Sequence, residues 1–149
     1  MMTRLQPGDP PPALDLPDRH RHRRGLDELR GRGRLLVFFF PEAGTPDCTE
    51  QACVVREARE DLADLETAVV GVSPDTPEVL AAFDDDHGLG YPLLSDDGAR
   101  TAAAWGAQRH GRMLRSVVLV GRDGLVLDAW YGVRPRDTAV KAAMAIPPA

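Results

Sequence analysis

Residues 35–60 read LLVFFFPEAGTPDCTEQACVVREARE. Leu35 to Phe40 is an unbroken apolar run, the pattern of a strand buried on both faces; a half-exposed strand would alternate. Pro41 to Gly44 interrupts it as a loop, and Thr45 followed by Pro46 suits an N-cap and a first helical position. Beyond them Val55, Ala58, Leu62 and Leu65 recur at three- and four-residue spacing, which predicts one buried helical stripe. A buried strand therefore runs through a short loop into a helix that opens at Cys48.

The rest of the chain fits around this unit. TAVVGVS (67–73) reads as a second strand, parallel to the first and reached by a right-handed crossover. TPEVLAAFDDDHG predicts a helix closed by Gly88, YPLLSD a short extended piece, and DGARTAAAWG a short helix ending at Gly106. RSVVLVGRDGLVLDAWYG holds two β-rich runs around an Asp-Gly turn, an antiparallel hairpin, and RDTAVKAAMA is a final helix. The first 12 residues hold four prolines and read as an extended lead-in that cannot join a central strand. No repeat or second domain is visible, so the expectation is a single α/β domain over residues 1–149.

Composition narrows the function classes. At 43% apolar and 28% charged residues, the chain is that of an ordinary globular protein able to bury a core unaided. It has no apolar run long enough to span a membrane. The start of the sequence lacks the features of a secretory signal, which predicts a cytoplasmic protein. Residues 1–34 carry eight Arg against five Asp and Glu, and the remainder ten Arg and Lys against eighteen. The basic excess centres on DRHRHRRG. Being short and free of interleaved aromatics, it reads as a solvated loop or hairpin with no nucleic-acid partner.

The chain has two cysteines, Cys48 and Cys53. In a reducing compartment such a pair points to catalysis or metal binding more than to a structural crosslink. Thiolate is the nucleophilic form, and the unpaired N–H groups of a helix start supply the positive potential that favours it. Cys48 occupies that position, with Thr45 three residues earlier to place a hydroxyl beside the sulfur. On an intact α-helix, Cα atoms five residues apart are separated by about 8.6 Å, whereas disulfides rarely exceed about 7 Å. Oxidation of the pair to a disulfide would have to unwind the first turns. The spacing also differs from the Cys-x-x-Cys of thioredoxin-type oxidoreductases, and zinc would need two further ligands.

These residues resemble a known family. PEAGTPDCT fits the peroxiredoxin signature Pro-x-x-x-Thr-x-x-Cys, and the second cysteine five residues on resembles the bacterioferritin-comigratory-protein (PrxQ) subfamily of thiol peroxidases. LQPGDPPPALDLPD, VVGVSPDTPEVLAAFDDDHGLGYPLLSD and RSVVLVGRDGLV extend the likeness nearly end to end. The resemblance implies a thioredoxin-like fold, a central mixed sheet flanked by helices with an N-terminal extension. It implies that Cys48 attacks a peroxide and becomes a sulfenic acid, that Thr45 orients the substrate, and that Pro41 shields the sulfenate. Arg115, opening the strand RSVVLV, matches the arginine that holds the sulfur and stabilises charge as the O–O bond breaks. Cys53 looks like the resolving cysteine, giving an intramolecular disulfide that thioredoxin or a similar dithiol would reduce. No metal or organic cofactor is implied, and the expected assembly is a monomer or weak homodimer.

Asp47 stands where the family commonly has glycine, and a carboxylate there should oppose thiolate formation. Gln51 occupies a position where many members have Glu, and LVG replaces the usual apolar pair followed by Asp. Arg109 and Arg112 lie close to Arg115, so the choice of Arg115 rests on the strand match. DDDH (84–87) and HRH (20–22) lack a full ligand set and read as surface, as does His110. Asp84 to Asp86 oppose the dipole at a helix C-terminus and are expected to cost a little stability. Two other functions stay open on the residues alone: a redox sensor using the same Cys48–Cys53 switch, and a thioredoxin-fold binding module with inert cysteines.

Overall fold

The computed structural model describes residues 4–147. Its centre is a five-stranded mixed sheet built on β3 (Arg34–Phe39), the apolar run of the opening stretch. On one side of β3 lie β4 (Thr67–Ser73) and β5 (Leu93–Ser95), both parallel to it. On the other lie β8 (Ser116–Val120) and β9 (Val126–Tyr131), each antiparallel to its neighbour, giving the order β5-β4-β3-β8-β9. The architecture is the α/β thioredoxin-like sheet anticipated above, with the expected parallel pairing of β3 and β4 and the expected antiparallel hairpin.

Burial on both faces follows from the strand's alternation. Leu35, Val37 and Phe39 face one core, which contains Leu14, Leu16, Ala102 and Trp105 and against which Leu26 and Leu29 of α1 (Leu26–Arg30) pack. Leu36, Phe38 and Phe40 face the other, filled by Val55 and Leu62 of α2 (Pro46–Asp64), Leu80 and Phe83 of α3 (Pro77–His87), and Ala142 of α5 (Thr138–Ala145). Gly71 sits beside Phe38 in the β3–β4 register. A Cβ at Gly71 would lie 2.8 Å from the Phe38 ring and from Leu93, so the site requires glycine for close packing.

The N-terminal extension also follows its chemistry. Gly8 and Asp9 exchange backbone hydrogen bonds with Val126 of the edge strand β9, and Trp105 Nε1 donates to Ala13 O. The DRHRHRRG segment lies at the turn of a small hairpin, β1 (Asp15–Pro17) with β2 (Arg23–Gly25). Its cations are consumed within the chain. Arg19 pairs with Asp84 and Asp85 of α3, Arg21 with Glu78, and Arg24 with Asp18 and Glu28. Among the described residues no cluster of metal-ligating side chains occurs, and no helix is long and apolar enough to cross a membrane.

Four details differ from the sequence reading. Leu65 caps α2 rather than extending its buried stripe and is 41% exposed. β8 begins at Ser116, so Arg115 immediately precedes the strand. Asp84 does not simply oppose the dipole of α3: it accepts Leu89 N–H and receives Arg19, which supplies donors to that end of the helix. Three short elements have no clear periodicity: α1, α4 (Arg100–Ala104) and the hairpin of β6 (Gln108–Arg109) with β7 (Arg112–Met113). Only α4 was anticipated.

Candidate active site

The site forms where three chain segments meet at the C-terminal end of β3. Phe39 pairs with Ser116 across the antiparallel β3–β8 ladder. That register places Arg115, one residue before β8, beside the loop that leaves β3. The same loop turns into α2, whose first residues are Pro46, Asp47 and Cys48. Arg115 is held by its backbone as well, since its carbonyl accepts Gly132 and Val133 N–H at 2.9 and 3.0 Å.

Cys48 is 1% exposed and belongs to the core under α2. Arg115 donates to its sulfur from both terminal nitrogens, Nη1 at 3.4 Å and Nη2 at 3.5 Å. Cys48 is the third residue of α2, so the guanidinium meets its sulfur at the positive end of the helix, a setting that favours an anion. Arg109 and Arg112 sit exposed on the β6–β7 hairpin, and the hydrogen bonds to the sulfur come from Arg115. Cys53 is partly exposed on the same helix, and both cysteines are free thiols.

Thr45 occupies the N-cap position, but its side chain does not cap the helix. Its Oγ1 donates instead to Glu42 O at 2.8 Å, which closes the loop and leaves the oxygen lone pairs as acceptors. Pro41, half-buried, follows Phe40, the residue that leaves β3. Asp75 ties the loop to the sheet: its Oδ2 accepts Ala43 N–H at 2.7 Å and the Ser73 hydroxyl at 2.8 Å. Asp47 points to solvent from the first turn. His110 lies exposed at the tip of the β6–β7 hairpin.

Two residues of this neighbourhood carry more than their sequence positions suggested. Gln51 is wholly buried, and its Oε1 accepts Arg115 Nη1 at 2.7 Å. Its Nε2 is buried without a hydrogen-bond partner among the described residues. The spacing from Cys48 to Gln51 is three residues, one helical face, a signal that could have marked it. Tyr91 donates from its hydroxyl to Ala52 O at 2.6 Å. Burial pushes that phenol far above its ordinary range, reinforced by the potentials of Cys53 and Asp84, so it remains a donor.

Sheet, helix start and guanidinium-held thiol together define a thiol peroxidase of the thioredoxin-like class. The sequence profile of the AhpC/TSA family matches residues 7–129. The chain belongs to that family, and within it to the Bcp/PrxQ peroxiredoxins. A relative from Mycobacterium tuberculosis, whose name assigns it provisionally to the peroxiredoxins, is 46% identical over 143 residues, covering 89% of this chain and 88% of its own length. Peroxiredoxin Bcp of Bacillus subtilis is 30% identical over 146 residues, covering 93% of this chain and 92% of its own. The crystal structure of peroxidoxin BcpB from Mycobacterium tuberculosis superposes with a TM-score of 0.89 at 32% identity, covering 95% of this chain and 96% of that one.

Proposed function

We propose that this peroxidase reduces hydrogen peroxide and/or organic hydroperoxides with Cys48 as nucleophile and Cys53 as resolver, in a single domain spanning residues 1–149. The observation that carries the assignment is the double contact of Arg115 with the buried Cys48 sulfur at the start of α2. The Cys48 thiolate attacks one peroxide oxygen; the S–O bond forms as the O–O bond breaks, and the departing oxygen takes a proton to leave as water or alcohol. Arg115 and the helix-start amides stabilise the charge that develops on that oxygen. Thr45, its own proton engaged with Glu42 O, accepts the peroxide O–H and orients it. Pro41 screens the sulfenic acid from water.

Cys53 as thiolate then attacks the Cys48 sulfur, forming the S–S bond and displacing hydroxide, which takes a proton to become water. The intact helix keeps the two Cα atoms about 8.6 Å apart, so the first turns of α2 open for this step. A dithiol of the thioredoxin type supplies two electrons and two protons by exchange and restores both thiols. The protein works in the reducing cytoplasm as a monomer or weak homodimer, without cofactor, nucleic acid or membrane. Peroxide consumption coupled to thioredoxin and thioredoxin reductase tests the cycle. Many turnovers per chain are expected; consumption of a single equivalent would overturn the recycling route.

A further inference from the structure

We infer that Gln51 is the latch of the first turn of α2: its bond to Arg115 holds the turn closed, and its weakness as a neutral amide sets how fast the turn opens for resolution. The inference rests on the proposed roles of Cys48 and Cys53. Arg115 grips α2 through two side chains one turn apart, the Cys48 sulfur and the Gln51 amide oxygen, and the amide contact at 2.7 Å is the shorter. Once Cys48 is a sulfenic acid its sulfur no longer carries the charge that strengthened the first contact. Gln51 is then the side chain that still ties this turn to the sheet-borne arginine.

Two further observations locate and bias the opening. From Ala52 onward α2 is fastened to the end of α3 and the segment between it and β5: Tyr91 donates to Ala52 O at 2.6 Å, and Arg56 Nη1 to His87 O at 2.7 Å. Those ties bound the releasable turn on its C-terminal side, next to Gln51. The closed turn also buries Nε2 of Gln51 without a hydrogen-bond partner among the described residues, and opening returns that donor to water, so burial of the amide works against its own latch. A carboxylate at residue 51 would accept two guanidinium N–H groups and bury no donor, which makes it the tighter latch.

The test follows both phases of oxidation in rapid-mixing experiments on Gln51→Glu and the wild-type chain. The first-order phase, independent of peroxide concentration, reports opening and disulfide formation; the peroxide-dependent phase reports attack by Cys48 and is read separately. The latch predicts a first-order phase slowed about tenfold in Gln51→Glu, with Cys48 overoxidised at lower peroxide. An unchanged first-order phase would overturn it. Amide exchange on reduced Gln51→Met, a near-isosteric side chain without the amide oxygen, decides the matter should Gln51→Glu fail to fold. Faster exchange at Thr49 to Cys53 in Gln51→Met than in the reduced wild type, with Val55 to Leu62 unchanged, supports the latch, and the same exchange in both proteins contradicts it. Absence of any disulfide in the wild type would instead fall on the proposed cysteine roles, leaving the exchange comparison as the separate measure of the latch.

Discussion

Arg115 reaches the Cys48 sulfur across 67 residues of sequence with both terminal nitrogens, at 3.4 and 3.5 Å. The contact exists because β3 and β8 are antiparallel, which brings the start of one strand to the end of the other. Chemistry and fold are linked at this pair, since the guanidinium serves the sulfur while the ladder beneath it belongs to the core.

Arg115→Ala should therefore separate activity from stability. The peroxide-dependent rate is expected to fall by about a hundredfold or more, the scale for loss of one preorganised charge-stabilising group. Unfolding should shift by about 1–3 kcal/mol, because the buried Gln51 oxygen loses its donor. Activity near that of the wild type would place the charge-stabilising role elsewhere.

Cys53→Ser should leave the first oxidation of Cys48 intact and abolish turnover with a dithiol that requires the intramolecular disulfide. With no resolver, excess peroxide carries Cys48 on to sulfinic and sulfonic acids. Intact-mass spectrometry would show additions of two and three oxygens; a product that stops at one oxygen under excess peroxide would argue against this order of steps.

Asp47 puts a carboxylate one residue from the nucleophile, on an exposed turn. Asp47→Asn should raise the peroxide-dependent rate by about two- to fivefold at low ionic strength, the scale expected of a solvent-screened charge pair. The advantage should shrink in salt. An effect of the same size at high salt would point to a steric cause.

Asp18 anchors the β1–β2 turn. Its Oδ1 accepts His20 and His22 N–H at 2.8 and 3.1 Å, and Oδ2 faces Arg24 at 3.4 Å. Burial alone would raise its pKa, but these donors outweigh that effect and hold the carboxyl below the usual range. A group lowered by folding stabilises fully above its unfolded value, about 4, and loses that contribution as the pH falls through the folded value. Asp18→Asn should cost about 1–2 kcal/mol at neutral pH, with the gap to wild type closing in acid. A gap that stays constant down to pH 3 would contradict the assignment.

Legibility in the sequence followed the range of the forces involved. β3, the loop and the start of α2 could be read because an unbroken apolar run, a Thr-Pro pair and a helical stripe are local signals. The β8–β9 hairpin announced itself through Asp123-Gly124 in the same way. α1 and the β6–β7 hairpin, five residues and two residues per strand, are too short for any periodicity to register. The basic turn and the acidic end of α3 read as two separate surfaces, yet they neutralise one another across 65 residues through Arg19 and Asp84. Gln51, Asp75 and Tyr91 were obscure for that reason: each makes its decisive bond to a residue at least 32 positions away.

The central claim is that Cys48 and Cys53 form one redox couple through an opening of α2. Peptide mapping of the protein after one equivalent of hydrogen peroxide tests it most directly. The account predicts a crosslinked species joining Cys48 to Cys53 within one chain, reversible by dithiol. Oxidised Cys48 without that crosslink, or a crosslink only between chains, would contradict it.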